Sequence, residues 1–209
     1  MVGRPKWWAA HTPRGPHPLN IAVILLAAGA SVRLGQPKQL LPYQGKSLLR
    51  HAAQTACDAH CGEVFVVLGA YSKFLEPELV SLPVRVIYAE DWPEGMAASL
   101  RAGIHAIANC DAVLVMLCDQ PLVTKEHLQA LLAEFQLGVI VASNYGEAIG
   151  PPCVFDRAYF PELLALTGDS GARGLLKKHP CRTVAFPGGR VDVDTLTDWQ
   201  ALAAPTPPG

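Results

Sequence analysis

Four charged residues carry the clearest chemical signal in this chain of 209 residues: Arg33 and Lys38 in an early loop, Asp119 after an apolar run, and Asp194 near the end. Arginine offers a planar fork and lysine a mobile point charge, a pairing suited to a polyphosphate whose charge moves during reaction. Carboxylates at strand ends suit an oxygen-seeking Mg²⁺, which takes one or two of them together with phosphate oxygens. Arg33 and Lys38 are therefore candidate polyphosphate-binding cations and Asp119 a candidate metal ligand, while Asp192 and Asp194 could share a cation. No nucleophile–base dyad stands out. Chemistry on an already ionised phosphate needs little base catalysis, because positioning and charge neutralisation supply most of the acceleration.

The two cations follow a run of small residues, Leu26-Ala27-Ala28-Gly29-Ala30-Ser31, and are held by Gly35 and Pro37. Small residues let the backbone approach a ligand, and the amides of Ala27 to Gly29 can donate to phosphate oxygens. The loop has neither the G-x-G-x-x-G of a dinucleotide fold nor the G-K-[ST] ending of a P-loop. On residue types alone, a βα turn with two solvated cations remains the alternative. Asp119 sits in Cys118-Asp119-Gln120-Pro121, where an Asx turn or helix cap is the competing role. In Val191-Asp192-Val193-Asp194 an extended strand would turn both carboxylates to one side, where they repel unless solvent or a cation intervenes. The competing reading there is a surface strand entering a helix capped by Thr195 or Thr197. Gly95 permits close approach and the Ser99 hydroxyl both donates and accepts; a glycine-initiated helix with Ser99 packed inside explains them equally.

Positioning these residues requires alternating strands and helices. Short apolar or β-branched runs at Ile21–Leu26, Val64–Leu68, Val84–Ile87, Ala112–Leu117 and Val139–Ala142 read as strands. Leu48, Leu49, Ala52, Ala53 and Ala56 make one apolar helical face, and further helices are expected over Met96–Ala108, Lys125–Phe135 and Ser170–His179, with Thr124 as an N-cap. The pattern predicts a Rossmann-like three-layer α/β fold with an open, mostly parallel sheet. Ligands then bind beyond the strand carboxyl ends, so functional residues should cluster after Leu26 and Leu117. Ser143–Glu147 reads as a mobile loop.

The string from Leu26 to Lys38 resembles the L-A-[AG]-G-x-S-x-R-x-G-x-x-K signature of nucleotidyltransferases related to the molybdenum cofactor cytidylyl- and guanylyltransferases. Cys118-Asp119-Gln120-Pro121 resembles their L-[GC]-D-Q-P element, and Asp192 to Asp198 their D-[IV]-D-T-P-x-D, with Leu196 in place of proline. Gly95 to Gly103 resembles the G-x-x-x-S-[LV]-x-x-G element that helps to hold the base in cytidylyltransferases. Gly150 to Phe155 resembles G-H-P-x-x-F, with Pro151 in place of histidine, and Gly168 to Arg173 resembles G-D-x-G-A-R. The resemblance runs from about Asn20 to Trp199 and implies a nucleotide-diphospho-sugar transferase (GT-A-like) fold. It implies Mg²⁺-dependent transfer of CMP from CTP to molybdopterin, releasing pyrophosphate, with Arg33, Lys38 and Asp119 as catalytic groups, Asp119 and Asp194 as metal ligands, and Leu26, Ala27, Ala28, Gly29, Arg33, Lys38, Gly95, Ser99 and Asp119 binding the nucleotide. Ala28, where guanylyl enzymes usually carry glycine, brings the cytidylyl branch closer. GTP as donor, another cytidylyl acceptor, or a non-catalytic cofactor carrier or insertion chaperone are the alternatives. A molybdoenzyme is the implied recipient. Asp169 and Arg173 suit either acceptor contact or an i,i+4 pair.

Composition limits the rest. A net charge of −1 supplies no basic excess for nucleic-acid binding, and no apolar stretch approaches the roughly 20 residues of a spanning helix. The six cysteines, at 57, 61, 110, 118, 153 and 181, read as reduced thiols of a cytoplasmic protein; Cys57, His60 and Cys61 lack the second ligand pair of structural zinc. Arg14 and His17 before Ile21–Ala28 offer an export-signal alternative, opposed by four prolines ahead of the run and the ordered loop signals behind it. Residues 1–19 read as an extension, 20–204 as a single nucleotidyltransferase domain, and 205–209 as a tail.

Overall fold

The computed structural model describes residues 19–203; the extension through residue 18 and the end from residue 204 lie outside the described residues. Strand β1 (Ile21–Leu26) is followed by a small hairpin, β2 (Pro42–Tyr43) and β3 (Lys46–Ser47), then α1 (Leu48–Asp58), whose first turn is capped by Ser47 accepting from the Arg50 amide. Next come β4 (Glu63–Leu68), α2 (Ser72–Leu79), β5 (Val84–Tyr88), α3 (Met96–Ala106), β6 (Ala112–Leu117) and α4 (Lys125–Ala133). The second half adds β7 (Ile140–Asn144), β8 (Ile149–Asp156), α5 (Phe160–Leu164), α6 (Arg173–Lys178), β9 (Cys181–Ala185) and α7 (Leu196–Ala203).

Seven strands form one sheet in the order β5-β4-β1-β6-β8-β7-β9, in which β8 alone runs antiparallel to its neighbours. β1 and β6 are central and covered on both sides, which explains their unbroken apolar sequences. Alternation along β1 sends Val23 and Leu25 to the core shared with α1, α2 and α4, and Ala22, Ile24 and Leu26 to the core shared with α3, α5 and α6. The result is a three-layer α/β architecture, mostly parallel, as the run spacing requires. Among the described residues no helix is long and apolar enough to cross a membrane.

A third, smaller core lies at the carboxyl end of the sheet. Leu34, Leu41, Leu48 and Val193 pack together, with Tyr43, Trp199 and Leu202 against them. It joins the early loop and hairpin to the last segment of the fold, across more than 150 positions of sequence.

Two sequence expectations need correction. Ser143 and Asn144 belong to β7 rather than to a mobile loop: Ser143 is fully buried, its hydroxyl donating to the Pro152 carbonyl at 2.7 Å and bonded to His127 Nε2 at 2.8 Å. The helix placed over Ser170–His179 begins only at Arg173, so Asp169 lies outside it and cannot take the helical i,i+4 position opposite Arg173.

Candidate active site

The loop after β1 is fixed from beneath by one side chain. Gln39 is buried, and its amide nitrogen donates to the Ala27 carbonyl at 2.9 Å and the Gly29 carbonyl at 2.8 Å. Its oxygen accepts from Ser31 Oγ at 3.3 Å, and Ser31 Oγ accepts from the Lys38 amide at 3.1 Å. The return toward Lys38 passes through Gly35, whose φ of +71° lies in the left-handed region that glycine enters freely. Gln39 was not among the residues singled out in the sequence; its signal is a polar side chain set between Lys38 and the apolar Leu40-Leu41. Gln39→Leu keeps the bulk but leaves both loop carbonyls short of a donor, at about 1–3 kcal/mol. A lower urea midpoint at unchanged slope checks this.

The same geometry revises one expected donor. The Ala27 amide already donates to the Val67 carbonyl at 2.9 Å, continuing the β1–β4 ladder, so it does not face a phosphate. Leu26 is likewise engaged: its carbonyl accepts from the Cys118 amide at 3.2 Å, which ties the start of the loop to the strand end that carries Asp119.

The four charged residues meet. Lys38 Nζ lies 2.5 Å from Asp119 Oδ2 and 3.0 Å from Asp194 Oδ1, and Arg33 Nη2 lies 2.8 Å from Asp194 Oδ2. The Lys38 and Asp119 side chains are only 16% and 15% exposed, so their pairing is shielded; Arg33, 73% exposed, adds a solvent-screened contact. Burial works against the charge on Lys38, but Asp119 and Asp194 outweigh it and hold the ammonium above its ordinary range. Burial also opposes the Asp194 charge, yet Lys38 and Arg33 keep that carboxyl below its usual value. The lysine expected to neutralise a triphosphate is thus paired here with both carboxylates expected to hold a metal.

The last segment reaches the site without forming the expected strand. The Val193 amide donates to the Asp119 carbonyl at 2.9 Å and its side chain is buried in the small third core, so Asp192 and Asp194 flank an anchor instead of sharing a sheet face. A helix begins directly afterwards, which leaves no length for a ladder. Of the two cap candidates Thr195 serves: its hydroxyl accepts from the Asp198 amide at 3.2 Å, while Asp198 Oδ2 accepts from the amides of Asp194 at 3.1 Å and Thr195 at 2.7 Å. Asp198 therefore positions Asp194 through its backbone. Trp199 Nε1 donates to the Pro42 carbonyl at 3.0 Å and fastens α7 over the hairpin. Asp192 is half-buried; burial and the nearby Asp119 and Asp194 raise its carboxyl above the usual range, with Gln120 opposing.

The remaining elements line the same end of the sheet. Gly95, at φ +105°, opens α3 and lies against Gly168 and Asp169; a β-carbon there would stand 2.6 Å from the Gly168 carbonyl and Asp169 Oδ1. The segment read as base-holding thus touches the one read as acceptor-facing. Ser99 is buried in α3, and Ala28 packs beside Gly69, over which Trp92 closes. Pro151, in place of the histidine of the related motif, offers its carbonyl to the Tyr145 hydroxyl, which also receives Gln120 Nε2 at 3.3 Å.

A family model described as the MobA-like NTP transferase domain matches residues 23–184. The chain belongs to this family. The MobA-like NTP transferase is similar to nicotine blue oxidoreductase of Paenarthrobacter nicotinovorans, at 36% identity over 75% of this chain and 81% of that one. It is similar to the purine catabolism protein PucB of Bacillus subtilis, at 31% identity over 74% of this chain and 79% of that one. Among solved structures, Rv0371c of Mycobacterium tuberculosis H37Rv superposes with a TM-score of 0.77 at 31% identity, over 88% of this chain and 97% of that one. A complex of Rv0371c with manganese gives a TM-score of 0.74 at 30% identity over the same shares. Fold, family and site composition agree on a nucleotidyltransferase.

Proposed function

We propose that this nucleotidyltransferase transfers CMP from CTP to the terminal phosphate of molybdopterin, releasing pyrophosphate and forming the cytosine dinucleotide cofactor for a molybdoenzyme. The observation that carries the reading is the convergence of Lys38, Arg33, Asp119 and Asp194 beyond the ends of β1 and β6. Ala28 supports the cytidylyl choice, and the contact of Gly95 with Gly168 and Asp169 supports a base-holding and an acceptor-facing segment on one crevice.

The donor set fits a divalent ion. Asp119 Oδ1 is buried with no hydrogen-bond partner, and Mg²⁺ takes one or two carboxylates and completes its shell with phosphate oxygens and water. Asp119 and Asp194 would hold it; when bound, it neutralises polyphosphate charge. In this reading the amides of Ala28 and Gly29 hold the triphosphate, and Gly95 and Ser99 bound the base. Arg33 and Lys38 stabilise charge that develops on the leaving pyrophosphate. Residues 20–204 act as one unit, in the reducing cytoplasm.

The name of one relative, nicotine blue oxidoreductase, raises a second reading, redox chemistry. The four assembled groups neutralise charge and carry no redox function, which favours nucleotidyl transfer. Purified protein, Mg²⁺, molybdopterin and either CTP or GTP decide the matter, with product identified by mass. The cytosine dinucleotide with equimolar pyrophosphate is expected. A GTP-only product makes it a guanylyltransferase, and binding without pyrophosphate release makes it a carrier.

A further inference from the structure

The turn that carries Asp119 presents three consecutive main-chain carbonyls, each taken by a different partner. The Asp119 carbonyl accepts from the Val193 amide at 2.9 Å, and the Gln120 carbonyl from the Val123 amide at 3.2 Å. The Pro121 carbonyl lies 3.0 Å from His51 Nε2. Of these partners only His51 is a side chain, and it comes from α1.

A carbonyl oxygen can only accept, so the proton of the neutral imidazole sits on Nε2. Burial pushes this ring below its ordinary range, the bond to Pro121 opposes the shift, and Lys46 adds to it. The ring is also held from the side, where Tyr43 stands edge-on with centroids 4.9 Å apart at 86°. Tyr43 belongs to the hairpin, and its neighbour Pro42 accepts from Trp199 Nε1 of α7. His51 is thus joined directly to the turn bearing Asp119 and, through the hairpin, to the segment bearing Asp194. Helical period gives it no such duty: the buried face of α1 is Leu48, Leu49, Ala52, Ala53 and Ala56, and His51 stands beside it, half-buried.

Tyr43, His51, Pro121 and Leu122 line an open cleft of about 380 Å³. Close packing therefore does not fix that side of the turn, and the His51 bond spans from α1 to it. Placement matters because Asp119 Oδ2 meets Lys38 Nζ at 2.5 Å. Misplacement by about 1 Å can cost about 10²-fold in rate.

We propose that His51 is a positioning residue whose Nε2 proton, donated to the Pro121 carbonyl, sets the Asp119 carboxylate against Lys38. The kinetic readout of this assignment rests on the proposed cytidylyl transfer; its structural readout does not.

The test separates donation from packing. His51→Phe keeps a ring against Tyr43 but has no donor, His51→Gln keeps an N–H near the Nε2 position, and His51→Asn carries the same amide on a shorter stem. The full-length protein is labelled with carboxyl-¹³C aspartate, and the Asp119 resonance is assigned by its loss in Asp119→Asn. That resonance is expected to shift in His51→Phe and His51→Asn and to return to its native position in His51→Gln. The kcat for pyrophosphate release should fall about tenfold or more in the first two and stay within about threefold in His51→Gln, with KM for CTP little changed in all. Thermal unfolding checks that each variant is folded, and either His51→Phe or His51→Asn alone suffices. An unmoved Asp119 resonance in a folded donor-less variant overturns the assignment. Failure of His51→Gln to restore it does so too, because the ring and not the donated proton would then be what the turn requires. A resonance that shifts and is restored, in a protein that releases no pyrophosphate from CTP, upholds the role of His51 and removes the cytidylyl-transfer reading.

Discussion

Lys38→Ala is expected to lower kcat for pyrophosphate release about 10²–10³-fold, the range seen when one preorganised transition-state donor is removed. The split between kinetic constants is informative. In the structure Lys38 is bonded to Asp119 and Asp194, so nucleotide does not need it to enter the crevice. A group that acts mainly on charge developing during bond cleavage changes kcat more than KM. Removing the ammonium also leaves two carboxylates facing each other with only Arg33 as counter-charge, and Arg33 is largely solvent-screened. Steady-state kinetics with CTP as the varied substrate check the result; near-normal kcat would remove Lys38 from the mechanism.

Asp119→Asn is expected to depress turnover by at least about 10²-fold, by a different route. The asparagine keeps the size and one oxygen but loses the charge that fixes Lys38 at 2.5 Å and would hold the metal. Breaking one side of a buried ion pair commonly costs about 3–5 kcal/mol of stability. The loss here is smaller, because Asp194 remains 3.0 Å from the ammonium. The two variants separate under a Mg²⁺ titration: excess metal recovers part of the Asp119→Asn activity by mass action and none of the Lys38→Ala activity. Identical metal responses would show that Asp119 acts only by placing Lys38.

Much of the fold was legible because its central strands are buried on both faces and therefore write themselves as apolar runs. β8 escaped that signal. Gly150, Pro151 and Pro152 suggest a turn, yet the strand accommodates them where the ladder skips: Ala142 pairs with Cys153 and Ser143 with Gly150, so neither proline has to donate. α2 was hidden in the same way by Pro77 within it. At the site, charge and spacing marked Arg33, Lys38, Asp119 and Asp194, but not which would pair with which. Gln39 acts mainly through the Ala27 and Gly29 carbonyls, and a residue whose main partners are backbone atoms leaves little trace in residue types; Asp198 was legible only as the last residue of the related D-[IV]-D-T-P-x-D motif. The Val191–Asp194 alternation suggested a strand because periodicity cannot see that Val193 is drawn into a separate small core.

That small core has a consequence for how the enzyme is made. The sheet is complete at Ala185, and a chain grown that far already holds Lys38 and Asp119. Asp194 arrives only with the following stretch, which must find Leu34, Leu41 and Leu48 on a surface folded much earlier. A chain folded only that far can therefore be native-like in its sheet while the four-charge cluster is still incomplete, and in the proposed mechanism the later stretch acts as a latch that completes it.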